Sequence, residues 1–203
     1  NNFFKKKIKF SLNSSLEAQL ASISDDIAYN SHDLEDGLKS NLFRLKDLIN
    51  IPVLDKIIIK HIKKTKKYSI DLIIRQIIRE IINVMVSDVI LTTRKNIKKY
   101  KIKNLNDIYN TKFQLATFSN KMKIFDVKIK KFLKQKMYLH KKVNFKTNYG
   151  REVIAKLFTS IRRNPKKYID MKKYNNSNFE RIICDYIAGM TDRYAINLYN
   201  QIK

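Results

Sequence analysis

Three side chains near the start of the sequence have types and a spacing that suit the binding of a metal ion and a nucleotide. Asp25, Tyr29 and Asp33 are four residues apart, so in an α-helix they share one face. A carboxylate is a hard oxygen donor of the kind that divalent cations prefer. A carboxylate with an aromatic hydroxyl one turn away also suits a nucleotide site. A solvated polar face would show the same pattern, and both interpretations remain open at this point.

The charge around these residues is unusual for this chain. The formal net charge is +25, yet there is no Lys or Arg between Lys9 and Lys39. Carboxylates that lie together without basic partners repel each other, and a metal cation, a raised pKa or solvent exposure compensates. The acidic residues of this window are Glu17, Asp25, Asp26, Asp33, Glu35 and Asp36.

A helix is the element that must position the three side chains. Ser14 or Ser15 begins it, and Ser14 with Glu17 fits a capping box. Its apolar residues fall in one narrow stripe opposite the Asp25 face, which predicts a helix packed on a core. The stripe consists of Leu16, Leu20, Ile23, Ile27, Leu34 and Leu38.

The rest of the sequence predicts an all-α protein, a multi-helix bundle. Gly and Pro number only three and two, whereas sheet-rich folds need many turns. Ser69 caps a long Ile-rich helix, and the polar, basic stretch Arg94–Asn110 is expected to be irregular. Ser177 with Glu180 fits a second capping box before one last helix, whose apolar residues run from Phe179 to Leu198. Further helices are predicted from Pro52 toward Lys64, over Lys121–His140 and over Tyr149–Arg163.

Composition also limits where the protein works. A single cysteine, Cys184, allows no disulfide within the chain and fits a reducing cytoplasm. The longest apolar stretch, Ile70–Leu91, carries five charged residues and cannot span a membrane. No apolar segment follows the basic N-terminus, so no signal peptide is predicted.

The basic charge favours an anionic partner. Enrichment in Lys, Ile and Asn, the residues with A/T-rich codons, would also raise the charge without any partner. Aromatic residues are interleaved with the Lys and Arg clusters, a mixture that single-stranded nucleic acid binding would use. The clusters are 56–67, 94–103, 128–142 and 162–173, with Tyr68, Tyr100, Phe132, Tyr138 and Tyr168 among them.

Two long motifs, far apart and in the same order, resemble those of the dGTPase-like HD-superfamily phosphohydrolases. The first is the run SLEAQLASISDDIAYNSHDLEDGL, residues 15–38, and the second is CDYIAGMTDRYA, residues 184–195. Residues 78–90 and Met137-Tyr-Leu-His140 also resemble positions of this family. The resemblance implies the C-terminal part of an HD-domain phosphohydrolase. Residues 1–67 would then end the catalytic HD domain, and residues 68–203 would form the phosphohydrolase-associated helical region, with the two parts continuous in structure.

The resemblance implies metal-dependent hydrolysis of dGTP or another dNTP to the deoxynucleoside and triphosphate, and a tendency to form homo-oligomers. Asp25 matches the last ligand of the family's divalent metal ion. Tyr29 and Asp33 match positions that line the nucleotide pocket, where Asp33 would bond the 3′-hydroxyl group.

The family's other metal ligands, a His and then a His-Asp doublet, come before this motif, and the sequence is expected to begin too late to contain them. His32-Asp33 spells the doublet but follows Asp25 on the same helix, so the match is taken as coincidental. The catalytic residues are therefore not assigned, and this chain alone is expected to be inactive. The alternative is a non-catalytic remnant or regulatory module that binds nucleotide or single-stranded nucleic acid.

Overall fold

A computed structural model describes residues 11–63, 68–170 and 178–202, and these fold as α-helices joined by short turns, with no strand among them. The all-α prediction is confirmed. The helices are α1 (Leu16–Lys39), α2 (Leu54–Ile62), α3 (Ile70–Lys99), α4 (Leu105–Tyr109), α5 (Asn120–Leu133), α6 (Lys141–Arg163), α7 (Phe179–Ala188) and α8 (Asp192–Ile202). Two compact units divide between Tyr138 and Leu139. No helix in the described ranges is both long and apolar enough to cross a bilayer.

Residues up to 138 form a helical unit in which α1 packs against α3 and α5, and α2 packs against α3. The predicted stripe of α1 supplies Ile27, Leu34 and Leu38 to its core. Ser15 is the N-cap of α1, because its hydroxyl accepts a hydrogen bond from the Ala18 amide. The N-cap role of Ser69 is confirmed for α3, where its hydroxyl accepts from the Leu72 amide.

Hydrogen bonds to the side chains of Gln19 and Asp88 fix the segment that leads into α5. The Oε1 atom of buried Gln19 accepts hydrogen bonds from the backbone amides of Leu115 and Ala116, at 2.8 and 3.1 Å. Asp88 accepts from both the backbone amide and the hydroxyl of Ser119, which itself caps α5. Since α1 and α3 each hold this segment, the start of α5 is fixed relative to both.

Three helix boundaries in this unit differ from the sequence prediction. The helix predicted over 121–140 ends as α5 at Leu133, and a turn of π-helix follows to Tyr138. The helix expected at Pro52 begins only at Leu54, because Val53 adopts a φ of 77° and breaks the helical backbone. The stretch 94–110 was predicted to be irregular, and this is wrong. The long helix α3 continues through it to Lys99, and α4 follows, with Asn104 and Asp107 forming a capping box at its start.

The second unit, residues 139–203, packs α6 against α7 and α8 around its own core. The predicted single last helix is wrong, since α7 ends at Gly189 and α8 begins at Asp192. Ser177 of the predicted capping box lies outside the described residues. The core contains Val153, Leu157, Ile161, Ile169, Ile183 and Tyr199.

Gly37 in α1 and Gly150 in α6 give a matched pair of substitutions. A Cβ atom at Gly37 would lie 2.2 Å from the ring of Phe43, which is buried and packed edge-on against Phe132 at 4.9 Å. Nothing lies within 4 Å of a Cβ atom at Gly150. Alanine is the better helix former at both positions by about 1 kcal/mol.

We therefore expect Gly37→Ala to destabilise the first unit by about 1–3 kcal/mol, because overpacking outweighs helix propensity. Gly150→Ala should instead stabilise the second unit by roughly 0.5–1 kcal/mol. Urea titration followed by amide hydrogen exchange in α1 and α6 reports each unit separately. A stabilised α1 in Gly37→Ala would contradict the packing described for Phe43.

Candidate functional site

The three predicted site residues lie on the solvent side of α1, opposite its buried residues. Asp25 is exposed, the Tyr29 side chain is 65% exposed, and Asp33 is partly buried. The small residues Ala18, Ala21 and Ser22 on or beside this face are also exposed. The face is therefore open to a ligand.

Asp33 has a partner from the far end of the first unit. The hydroxyl of Tyr138 donates a short hydrogen bond to the Asp33 carboxylate. Tyr138 ends a turn of π-helix, Lys134–Tyr138, that follows α5 directly. Partial burial, this hydrogen bond and the charge of Asp33 raise the pKa of Tyr138 to about 12, with a smaller effect of Tyr29. Tyr138 thus stays a neutral hydrogen-bond donor at physiological pH and lies beside two predicted site residues.

A lysine from α5 supplies the positive charge that the sequence around α1 lacks. The Lys130 ammonium lies 3.0 Å from carboxylate oxygens of both Asp26 and Asp126. Asn30, buried in α1, donates to the other oxygen of Asp126 at 3.0 Å. Burial lowers the pKa of Lys130, but its hydrogen bonds to Asp26 and Asp126 outweigh this and raise it above the ordinary value. Lys130 is therefore held as a cation at the edge of the Asp25 face.

Asp25 has no such compensation from the described residues, and among the acidic residues of α1 it shares this with Asp36. Asp26 and Asp33 have the partners described above, and Glu35 pairs with Lys39 at 2.5 Å. Asp25 makes no hydrogen bond or ion pair with any residue that the structure describes. Its side chain is exposed, so it fits one ligand of a metal ion. Within the described ranges, no three His, Cys, Asp or Glu side chains are placed together to hold a metal.

The three histidines lie at separate places in the fold. His32 is exposed on α1, one residue before Asp33. His61 is buried at the end of α2, 2.6 Å from Glu80 of α3. His140 is the N-cap of α6, where its Nδ1 atom accepts from the Lys142 amide.

A basic cleft lies elsewhere on the first unit, between the end of α3 and the start of α5. Its volume is about 430 Å³, and Lys95, Lys99 and Lys123 line it. The half-exposed rings of Tyr100 and Phe113 meet at its edge with centroids 4.3 Å apart. Of the other interleaved aromatics, Phe132 and Tyr168 pack against the two cores instead. Tyr100 thus lies among lysines in an open cleft.

The sequence alone did not reveal Lys130 or Tyr138 as site residues. Each belongs to a basic cluster, and its contact with α1 joins positions 104 or 105 residues apart. The one available signal was Met137-Tyr-Leu-His140, which resembled family positions without an assigned role.

Comparisons with known proteins show what the chain is similar to. The phosphohydrolase-associated domain matches residues 116–201. A deoxyguanosinetriphosphate triphosphohydrolase-like protein of Pelagibacter ubique is 45% identical over 195 residues, 96% of this chain and 52% of that protein. Proteins of the same name from Rickettsia typhi and Leptospira interrogans are 36% and 33% identical over 93% of this chain, and 50% and 51% of their own lengths are covered.

The chain spans about half the length of these curated relatives, a proportion that agrees with the C-terminal half expected from the two motifs. The match covers the α1 motif as well as the associated region. The chain therefore resembles the C-terminal half of deoxyguanosinetriphosphate triphosphohydrolase-like proteins and contains the phosphohydrolase-associated domain.

Proposed function

We propose that the complete protein hydrolyses dGTP or a related dNTP to the deoxynucleoside and triphosphate, with the help of a divalent metal ion. The observation that carries the proposal is the surface of α1. There the unpaired carboxylate of Asp25 lies on the same helix face as the Asp33–Tyr138 pair, and its neighbour Asp26 is paired with the cation Lys130. The names of the relatives support the substrate class.

Asp25 would be one of the ligands of the metal ion, because its carboxylate is exposed and uncompensated. A bound divalent ion supplies Lewis-acid polarisation of a phosphoryl oxygen. We infer that the His and His-Asp ligands of the family come from sequence beyond these 203 residues, since no three His, Cys, Asp or Glu side chains of the described residues are grouped to hold a metal. One carboxylate fixes neither geometry nor charge, so the 203-residue chain alone should not turn over substrate.

Asp33, Tyr138 and Tyr29 would hold the sugar of the substrate. Tyr138 already donates to Asp33, so the remaining lone pairs of the carboxylate can accept a hydrogen bond from the 3′-hydroxyl group. The Tyr29 ring has the exposure needed to stack on or bond to the nucleoside. Lys130, held by Asp26 and Asp126, provides positive charge for the triphosphate at the same edge.

We further expect the complete enzyme to work in the cytoplasm and to form homo-oligomers. The domain division at residues 67 and 68 also remains a prediction. The two compact units described above divide the chain at a different place, between Tyr138 and Leu139. The division at 67 and 68 rests on resemblance to the family, whereas the compact units rest on contacts between residues.

For the complete protein, Asp25→Ala should abolish metal-dependent release of triphosphate from dGTP, because the metal loses a ligand. The measurement is triphosphate release at saturating Mg²⁺ or Mn²⁺. Glu17→Gln, an exposed acidic residue two turns earlier on α1, is the matched control and should retain activity. Unchanged turnover in Asp25→Ala would refute the assignment of this ligand.

The Asp33–Tyr138 pair can be tested without substrate. Tyr138 should titrate near pH 12 in the 203-residue chain, as followed by the ¹³Cζ resonance of labelled tyrosine. Asp33→Asn removes the charge and should move the pKa of Tyr138 back toward 10.

The sign of the effect on stability follows from the raised pKa. Because deprotonation is harder in the folded state, the contribution of Tyr138 is fully present below about pH 10 and is lost as the pH rises toward 12. Tyr138→Phe should remove that part of the pH dependence. A Tyr138 pKa that does not move in Asp33→Asn would contradict the contact.

The alternative function, a module that binds nucleotide or single-stranded nucleic acid, is favoured by the cleft between α3 and α5. Lysines supply phosphate contacts there, and the exposed Tyr100 and Phe113 rings could stack on bases. The first candidate remains the stronger, because the Asp25 face lies within the motif that the relatives share.

If this cleft binds single strands, a chain with Lys95→Gln and Lys99→Gln should bind a short oligothymidine more weakly. The slope of log K against log salt should decrease by about 0.7 for each phosphate contact that is lost. Lys56→Gln with Lys63→Gln changes the charge equally at exposed positions outside the cleft. Equal weakening by both pairs would indicate binding by net charge alone.

A further inference from the structure

A second cleft of the first unit lies between α2 and α3, away from the Asp25 face. Its volume is about 490 Å³. Lys60 and His61 line it from α2, and five residues line it from α3: Gln76, Arg79, Glu80, Asn83 and Val84. It combines a buried imidazole, an amide, a carboxylate and two cations in one place.

Two polar atoms of this cleft are buried without a hydrogen-bond partner among the described residues, Nδ1 of His61 and Oε1 of Gln76. The His61 side chain is only 8% exposed. A buried polar atom left without a partner costs about 1–3 kcal/mol. Such atoms are rare in folded proteins, and two of them lining one cleft suggest that a bound molecule satisfies them.

The chemistry of the two atoms defines what that molecule must offer. The hydrogen bond from Lys60 holds the pKa of Glu80 below its ordinary value, so this carboxylate is ionised and accepts. The Nε2 atom of His61, 2.6 Å from Glu80, is therefore the donor. This leaves the Nδ1 atom of His61 to bond a ligand, and Oε1 of Gln76 is an acceptor. The buried part of the cleft thus needs a ligand with hydroxyl groups, which both donate and accept hydrogen bonds.

The outer part of the cleft carries Lys60 and Arg79 and therefore requires a negatively charged group in its ligand. Arg79 is exposed and makes no ion pair with any residue in the described ranges. Lys60 binds Glu80 through both carboxylate oxygens, at 2.8 and 3.0 Å, and its side chain is still 59% exposed. A guanidinium and an ammonium that line the same cleft suit a phosphate group.

We propose that this cleft between α2 and α3 binds a phosphorylated polyol of sugar-phosphate or nucleotide size. Hydroxyl groups of the ligand form hydrogen bonds with His61 and Gln76, and its phosphate group binds Arg79 and Lys60. This site is separate from the dNTP site on α1 and does not depend on the proposed hydrolysis.

The test is calorimetric titration of the 203-residue chain with ribose 5-phosphate, adenosine monophosphate, ribose and inorganic phosphate. Both phosphorylated sugars should bind, and each at least tenfold more tightly than phosphate or ribose alone. Tighter binding of adenosine monophosphate than of ribose 5-phosphate identifies the ligand as a nucleotide, and equal binding identifies it as a sugar phosphate.

Three variants locate the binding. Gln76→Leu removes one buried acceptor and keeps a similar shape, and Arg79→Gln removes the free guanidinium. Each should weaken ribose 5-phosphate at least tenfold. Arg75→Gln, an exposed arginine of α3 that does not line the cleft, should leave the affinity unchanged. Gln76→Leu should also leave the ligand-free chain at least as stable, because it eliminates an unsatisfied buried oxygen.

The proposal is overturned if neither phosphorylated sugar binds. It is also overturned if inorganic phosphate binds equally well, or if Arg75→Gln weakens binding as much as Arg79→Gln. Should Gln76→Leu fail to fold, the two arginine variants decide alone, because both side chains are exposed and neither substitution touches the core.

Discussion

The packing of α1 against α3 and α5 is the constraint on which the rest of the first unit depends. Burial of Leu34 and its neighbours determines which side of α1 faces the core, and therefore which side carries Asp25 to solvent. The same packing brings Lys130 of α5 beside Asp26. Lys39, the only Lys or Arg of α1, pairs with Glu35, so compensation of Asp26 has to come from tertiary structure. Asp25 and Asp36 have no such partner among the described residues.

The sequence predicts the fold correctly wherever the apolar spacing on one helix face determines which residues are buried. Ile73, Ile77, Ile81 and Met85 are spaced for a helix and are all fully buried in α3. The prediction of a single last helix was wrong, because the apolar spacing continues across Gly189 even though the backbone turns there. Helical periodicity reports which residues need a core, and it does not report whether one helix or two supply them.

The candidate site likewise contains some residues that the sequence predicts and others that it does not. Asp25, Tyr29 and Asp33 share a face because of local geometry, so their spacing in the sequence was sufficient to place them together. Tyr138 depends on a turn of π-helix after α5, where an i→i+5 bond replaces the α-helical one and changes the direction of the side chains that follow. Neither that turn nor the partners of Lys130 can be read from periodicity, since both depend on how distant helices pack.

The separation in sequence between α1 and its partners on α5 has a consequence during synthesis. A ribosome adds about 5–20 residues per second, so the 104 residues between Asp26 and Lys130 correspond to a delay of roughly 5–20 s. During that time the acidic face of α1 has no lysine from α5, its apolar face has no complete core, and Gln19 has no amide to bind in the segment before α5. The nascent chain must therefore hold Asp26 on its most acidic helix without its lysine partner until α5 emerges.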